Sequence, residues 1–141
     1  LSGTFGEQPH ARARGRVGED DAVRWLAAQG YEIVARNVTN RGGEIDVVAR
    51  EGEALCFVEI KARAGDRYGL AIEAVGFTKQ RRLSRAAALY LSARGWHGRP
   101  CRFDVLGLDR AGSADTTGAG WRYTLIRNAF PYNPGPPRRR A

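Results

Sequence analysis

Gly43-Glu44-Ile45-Asp46-Val47-Val48-Ala49 and Ala54-Leu55-Cys56-Phe57-Val58-Glu59-Ile60-Lys61 decide the reading of this chain. Each is an apolar run with charged residues at one end, and each has the composition of a strand. A strand alternates with period two, which puts Glu44 and Asp46 on one face of the first run and Glu59 and Lys61 on one face of the second. Arg50-Glu51-Gly52-Glu53 between them reads as a turn, so the runs are expected to pair as a hairpin. That pairing brings Asp46, Glu59 and Lys61 to one end of a sheet. Charges there are costly unless they are paired or bound to a metal. Two readings follow: an ion pair of Lys61 with Asp46 or Glu59 that closes the sheet end, or a metal site.

The composition limits the alternatives. A chain of 141 residues, 43% apolar, fits one globular domain with a substantial core. No apolar run reaches the length of a membrane span, and the first residues lack the apolar segment of a secretory signal, so a cytoplasmic location without membrane attachment is expected. Cys56 and Cys101 both fall in expected strands and read as buried thiols of a reducing compartment. With His10 and His97 they do not make a zinc pattern. No glycine loop followed by Lys-Ser or Lys-Thr is present to cradle a nucleotide phosphate. The net charge is +8, but Arg12, Arg14 and Arg16 near one end and Arg138, Arg139 and Arg140 near the other carry much of it. Such ends suit either electrostatic contact with nucleic acid or simple solubility.

Working outward from the hairpin, residues 1–17 read as a disordered basic tail, residues 18–130 as a single domain and residues 131–141 as a disordered Pro/Arg-rich tail. Within the domain a helix is expected from about Gly18 to Gln29, with Val23, Leu26 and Ala27 as its apolar stripe and Gly30 as its stop. A strand over Tyr31–Arg36 and a loop over Asn37–Gly42 lead into the hairpin. Beyond it come a polar loop over Arg63–Gly69 and a short helical turn over Ala71–Val75. A helix follows, capped by Thr78, closed by Gly95 and apolar at Leu83, Ala87, Tyr90 and Leu91. Strands over Cys101–Leu108 and Trp121–Arg127, separated by a loop over Asp109–Gly120, complete an order α-β-β-β-α-β-β.

Helical spacing sets Glu19 above Ala22, Val23 and Leu26, on the stripe that faces the core. It reads equally as a carboxylate aimed at the sheet near Asp46 or as an acid serving the helix dipole beside Asp20 and Asp21. Gln80 also tends inward and reads first as a residue satisfying backbone groups of the helix start. Lys79, Arg81, Arg82 and Arg85 form the densest basic cluster outside the tails, suited to phosphate contact or to a solvated face. Phosphodiester hydrolysis calls for a hard cation such as Mg²⁺ or Mn²⁺ held by oxygen ligands. Asp46, Glu59 and the Ile60 backbone carbonyl can supply them, with Glu19 as an accessory. Lys61 then orients water or stabilises charge on phosphorus. Glu44 stands one pair further along, as a supporting or a solvated residue.

The set Glu19, Asp46, Glu59-x-Lys61 resembles the core of the PD-(D/E)xK nuclease superfamily, whose fold is restriction-endonuclease-like. More narrowly the chain resembles the YraN-like family of bacterial proteins. The resemblance rests on Gly18-Glu19 with Ala22, Arg36-Asn37, Gly43-Glu44-Ile45-Asp46, Val58-Glu59-Ile60-Lys61 with Arg63, Ala74-Val75, Lys79, Arg102-Phe103-Asp104-Val105 and Asn128-Ala129-Phe130. It implies an α/β fold with an αβββαβ core and a mixed sheet flanked by helices. By motif position, Asp46 and Glu59 take the metal, Glu19 assists and Lys61 is the catalytic lysine, with Glu44 and Gln80 behind them. Gly-Glu-Ile-Asp stands where the superfamily has Pro-Asp. Similarity to Holliday-junction resolvases implies a homodimer acting on DNA, on branched or flapped structures. The alternative is a nucleic-acid-binding module of the same fold with weak or no catalysis, and a third reading is a partner-binding protein whose charges form an ion-pair network.

Overall fold

The computed structural model describes residues 9–63, 75–110 and 120–134, with side chains over 18–62, 75–109 and 120–134. The expected turn at 71–74 and nearly all of the two long polar loops lie outside these residues, as do positions 1–8 and 135–141 of the tails. The chain runs α1 (Pro9–Ala28), β1 (Glu32–Asn40), β2 (Gly43–Glu51), β3 (Ala54–Arg63), α2 (Phe77–Arg94), β4 (Cys101–Arg110) and β5 (Trp121–Phe130). This is the expected α/β order. Among the described residues no helix is long and apolar enough to cross a membrane.

The five strands form one sheet in sequence order. β1, β2 and β3 make an antiparallel meander. β3 and β4 are parallel, and β5 returns antiparallel to β4. A parallel pair needs a long crossover, and α2 supplies it. The sheet is therefore apolar on both faces. On one side Ile45, Val48, Leu55, Phe57, Phe103 and Val105 pack with Leu83, Ala87, Tyr90 and Leu91 of α2. On the other, Val47, Ala49, Cys56, Val58, Leu106 and Leu108 pack with Ala22 and Leu26 of α1. Cys101 packs against the α2-side core, opposite to Cys56, and both thiols are free.

Several boundaries differ from expectation for local reasons. α1 begins at Pro9, well ahead of Gly18. Proline has the backbone angle of a first helical position, and the Ala and Arg residues that follow are good helix formers. Ala27 is exposed, and Ala22 takes its place in the core. β1 does not stop at Arg36, because Asn37 adopts a left-handed conformation (φ 53°) and the strand continues. β5 likewise reaches Phe130. Gly76, not Thr78, is the N-cap of α2, and no side chain bonds there. Gly95 closes α2 in the left-handed conformation (φ 68°), as expected.

Two features hold this frame in register. At the β1–β2 turn, Asn40 donates to the Ala86 carbonyl of α2 (3.0 Å) and accepts from the Gly42 N–H (2.8 Å). Gly42 is pressed on the helix so closely that a Cβ would lie 2.6 Å from the Ala86 nitrogen. At the other end of the sheet Asp104 is fully buried. Its carboxylate accepts from the Tyr31 hydroxyl (2.7 Å), from Arg102 Nε (2.9 Å) and from the Asn128 N–H (2.9 Å). Asn128 reaches it because β5 bulges there, with φ 53° at Asn128. Arg102 and Arg127 both bond Glu51, and this network joins Tyr31, just ahead of β1, to β2, β4 and β5.

Gly42→Ala is expected to cost about 1–3 kcal/mol, because overpacking against a helix backbone cannot relax through a side chain. Gly18→Ala, whose added Cβ meets only Leu108 and Trp121 at 3.6 Å, is expected to cost nothing. Urea denaturation of the pair checks both. Asp104→Ala leaves Tyr31 and Arg102 without their buried acceptor and is expected to cost about 3–5 kcal/mol in the same measurement.

Candidate functional site

β2 and β3 pair from Glu51↔Ala54 as far as Val47↔Val58, and their ladder ends there. β3 continues beside β4 to Arg63↔Asp109. β2 therefore parts from β3 at the end that carries the acidic residues. The side-chain alternation of β2 breaks at the same point: Ile45 belongs to the α2-side core and Val47 to the α1-side core. The strict period-two reading of Glu44 and Asp46 fails here, although both still border one cleft. In place of a ladder carbonyl, the Asp46 carboxylate accepts the Ile60 N–H (2.8 Å). A residue in an extended strand turns its N–H and C=O to the same side, so the Ile60 carbonyl is also directed toward the gap.

The cleft has a volume of about 250 Å³ and is lined by Gly43, Glu44, Asp46, Glu59, Lys79, Arg82 and Leu83. Glu59 follows Leu55 and Phe57 along the α2 face, and its side chain is only 7% exposed. One of its oxygens receives two ammonium groups, Lys79 at 2.7 Å and Lys61 at 3.6 Å. The Lys61–Glu59 ion pair considered from the sequence is thus present, and a second lysine stands closer.

The electrostatics follow from this crowding. Burial, and then the charge of Glu59, push Asp46 up to about 7, with the Ile60 N–H opposing and the charge of Glu19 adding to the rise. Burial and the adjoining Lys79 ammonium loosen the proton on Lys61 against the pull of Glu59. Burial works against Lys79 most strongly of any single influence, but the hydrogen bond and charge of Glu59, with Lys61 and the charge of Asp46, together outweigh it and hold the ammonium charged.

Glu19 stands apart from the first contacts. α1 starts so far upstream that Glu19 lies in its third turn, beyond reach of the helix-dipole account. Arg36 Nε approaches it at 3.5 Å. Its Oε2 is buried without a hydrogen-bond partner. Asp20 pairs with Arg36 (2.6 Å), and Asp21 accepts from Trp121 Nε1 (3.0 Å). Among the described residues no three Asp, Glu, His or Cys side chains converge as a ready ligand set.

The expected residues therefore separate into groups. Asp46, Glu59 and Lys61 come together, and Glu44 is exposed at the cleft rim. Gln80 is engaged elsewhere, donating to the Val75 carbonyl (2.9 Å) at the start of α2. The basic cluster divides: Lys79 and Arg82 line the cleft, Arg81 lies over the Phe77 ring (5.8 Å), and Arg85 sits beside the β1–β2 turn. Sequence reasoning missed the closeness of Lys79 to Glu59. The signal was there, since Lys79 precedes the core residue Leu83 by one helical turn and so points toward the sheet.

Three relatives are similar to this chain over much of their length. A UPF0102 protein of Symbiobacterium thermophilum is 48% identical over 120 residues, covering 85% of this chain and 98% of its own. One from Frankia casuarinae is 45% identical over 118 residues, 84% of this chain and 96% of its own. One from Rhodococcus jostii is 48% identical over 99 residues, 70% and 84%. The family model matches residues 18–108, the span from Glu19's helix through β4, and with these identities the chain belongs to the uncharacterised protein family UPF0102.

Proposed function

We propose that this protein is a metal-dependent nuclease that hydrolyses phosphodiester bonds in DNA, with branched or flapped structures as its substrates. The observation that carries this reading is the pair Asp46 and Glu59 at a strand end where the sheet parts, with Lys61 two residues along on the same face as Glu59. The resemblance to the PD-(D/E)xK superfamily supplies the nucleic-acid substrate and the homodimer, and the two free thiols support a cytoplasmic location.

The donor set suits a hard divalent cation. Burial and the charge of Glu59 raise the cost of ionising Asp46, which a dication relieves, and the charge of Glu19 adds to it. Asp46, Glu59 and the Ile60 carbonyl are the residues that would hold Mg²⁺ or Mn²⁺, with Glu19 assisting. Such an ion supplies Lewis acidity toward a phosphoryl oxygen and toward water. The chain's own residues do the rest. Arg82 at the cleft wall binds the phosphate backbone as a bidentate cation. Lys61, with its proton loosened by burial and by Lys79, stands where it orients the attacking water and meets charge developing on phosphorus. Leu83 and the packed end of the core keep the floor of the cleft apolar.

A second reading is favoured by a specific observation. Glu59 is neutralised by two lysines, and no three-ligand set is assembled among the described residues. A binding module of this fold with weak or no catalysis has those properties too.

Branched DNA incubated with the protein and Mn²⁺ separates the readings. Cleavage is expected, with a loss of about 100-fold or more in Asp46→Ala and in Lys61→Ala. Cleavage that persists unchanged in both variants overturns the nuclease assignment, and salt-dependent binding without cleavage supports the module. The acidic crowding also has a stability signature. The folded protein holds a proton on Asp46 up to about 7, well above the ordinary carboxylate value, so this residue destabilises the fold as pH rises toward 7 and stays costly above it. In metal-free buffer Asp46→Asn, which keeps an acceptor for the Ile60 N–H, is expected to melt higher than wild type at about pH 8. The difference should shrink toward about pH 5. Equal melting across that range refutes the crowding.

A further inference from the structure

We propose that Lys79 is the resident counter-cation of the Asp46–Glu59 pair, and that a divalent ion enters the site by displacing its ammonium. This rests on the metal reading above and adds to it a residue that sets the affinity for the ion.

The local chemistry of α2 gives no reason for a lysine at this position. Lys79 lies in the first turn of the helix, where the unpaired N–H groups make a positive end and a cation is unfavourable. No acidic residue of that turn compensates it. The compensation comes from across the cleft: Glu59 Oε2 lies 2.7 Å from Lys79 Nζ, shorter than its 3.6 Å to Lys61. The helix start that aims Lys79 is itself fixed twice, by the Gln80 side chain on the Val75 carbonyl (2.9 Å) and by the Gln80 N–H on the Gly76 carbonyl (2.9 Å). Lys79 is thus held on the carboxylate by the fold.

Charge balance makes the relation one of exchange. Asp46 and Glu59 facing Lys79 and Lys61, with Glu44 and Arg82 also on the lining, leave the cleft close to neutral. A dication added to that set would sit beside Lys79 with no spare negative charge, at a Coulomb cost that grows in a partly dry cleft. The oxygen that Lys79 occupies is also one of the atoms the ion would need. Leaving is easy for this side chain: it is 44% exposed, and its four-carbon stem lets the ammonium swing to solvent without moving the helix. Lys61 is 22% exposed and grows from β3 itself, so it stays. Displacement therefore removes one lysine and keeps the other. The released ammonium remains at the cleft beside Arg82, available to a phosphate. Lys79 is a positioning residue here, acting on the reaction through the occupancy of the site.

Mn²⁺ titration calorimetry on the wild-type protein, Lys79→Met, Lys61→Met and Glu59→Gln tests this. Lys79→Met is expected to bind Mn²⁺ about tenfold more tightly than wild type, Lys61→Met to change less, and Glu59→Gln to lose binding. Should Lys79→Met fail to fold, Lys79→Gln carries the same expectation. A measurement on wild type alone needs no variant: the ammonium nitrogen resonance of Lys79, held by Glu59 without metal, is expected to shift to its solvent-exposed position as Mg²⁺ is added. Equal or weaker Mn²⁺ binding in Lys79→Met, with Glu59→Gln still abolishing it, overturns the exchange and leaves the metal reading standing. So does a Lys79 resonance that stays in place while Mg²⁺ binds. No Mn²⁺ binding by either wild type or Lys79→Met overturns both.

Discussion

The hydrogen bond from the Ile60 N–H to the Asp46 carboxylate is the contact on which the cleft depends. A β-ladder is self-propagating, because each paired residue presents the next N–H and C=O to its neighbour. To open a cleft between two adjacent strands, that propagation must stop without leaving a buried N–H unsatisfied. Asp46 does both. Its side chain takes the donor that a β2 carbonyl would have taken, and the backbone of β2 is free to turn away. The turned segment is then caught by α2, through Asn40 and the close approach of Gly42 to Ala86. The opening of the sheet and the docking of the β1–β2 turn are thus one arrangement, and both walls of the cleft belong to it.

The hairpin and its charges were legible in the sequence because alternation and the Glu51-Gly52-Glu53 turn are local signals. Gly52 adopts the left-handed conformation (φ 62°) such a turn requires, and the register runs through it as expected. What alternation could not show was where it would stop. The break at Asp46 needs the side chain to compete with a backbone carbonyl, and nothing in a period-two pattern distinguishes that residue from Glu44. The early start of α1 was hidden for a different reason. Residues 9–17 have the Ala and Arg of a helix but no apolar stripe, so a reading based on core-facing periodicity passes over them. The cost of that omission fell on Glu19, for which a dipole role at a helix start that is not there stood level with a place facing the sheet. Asn37 and Asn128, both with φ 53°, were opaque too, since a left-handed asparagine inside a strand looks like a loop residue in sequence.

The two ends of the sheet treat buried acids in opposite ways, and the contrast bears on function. Asp104 is fully enclosed and receives donors from Tyr31, Arg102 and Asn128. Burial and its contact with Asp104 push the Tyr31 hydroxyl up, so the tyrosine remains a donor there. Such an acid is matched to its surroundings and serves register. Asp46 and Glu59 are set against each other and, at a distance, against Glu19. One backbone N–H and two lysines meet the pair, and Glu19 Oε2 has no hydrogen bond, only the Arg36 guanidinium at 3.5 Å. A purely structural ion-pair cluster has every reason to resemble the Asp104 end, because each unmatched acid lowers stability for nothing in return. An acid pair balanced by a side chain that can swing to solvent differs from one enclosed by fixed donors, and local instability of this kind is expected where a site binds something absent from the folded chain alone. Lys79 balances the pair without being locked to it, being attached to a helix rather than to the sheet and half open to water. The arrangement has the form of a site held in readiness, its charge balanced by a group that can leave.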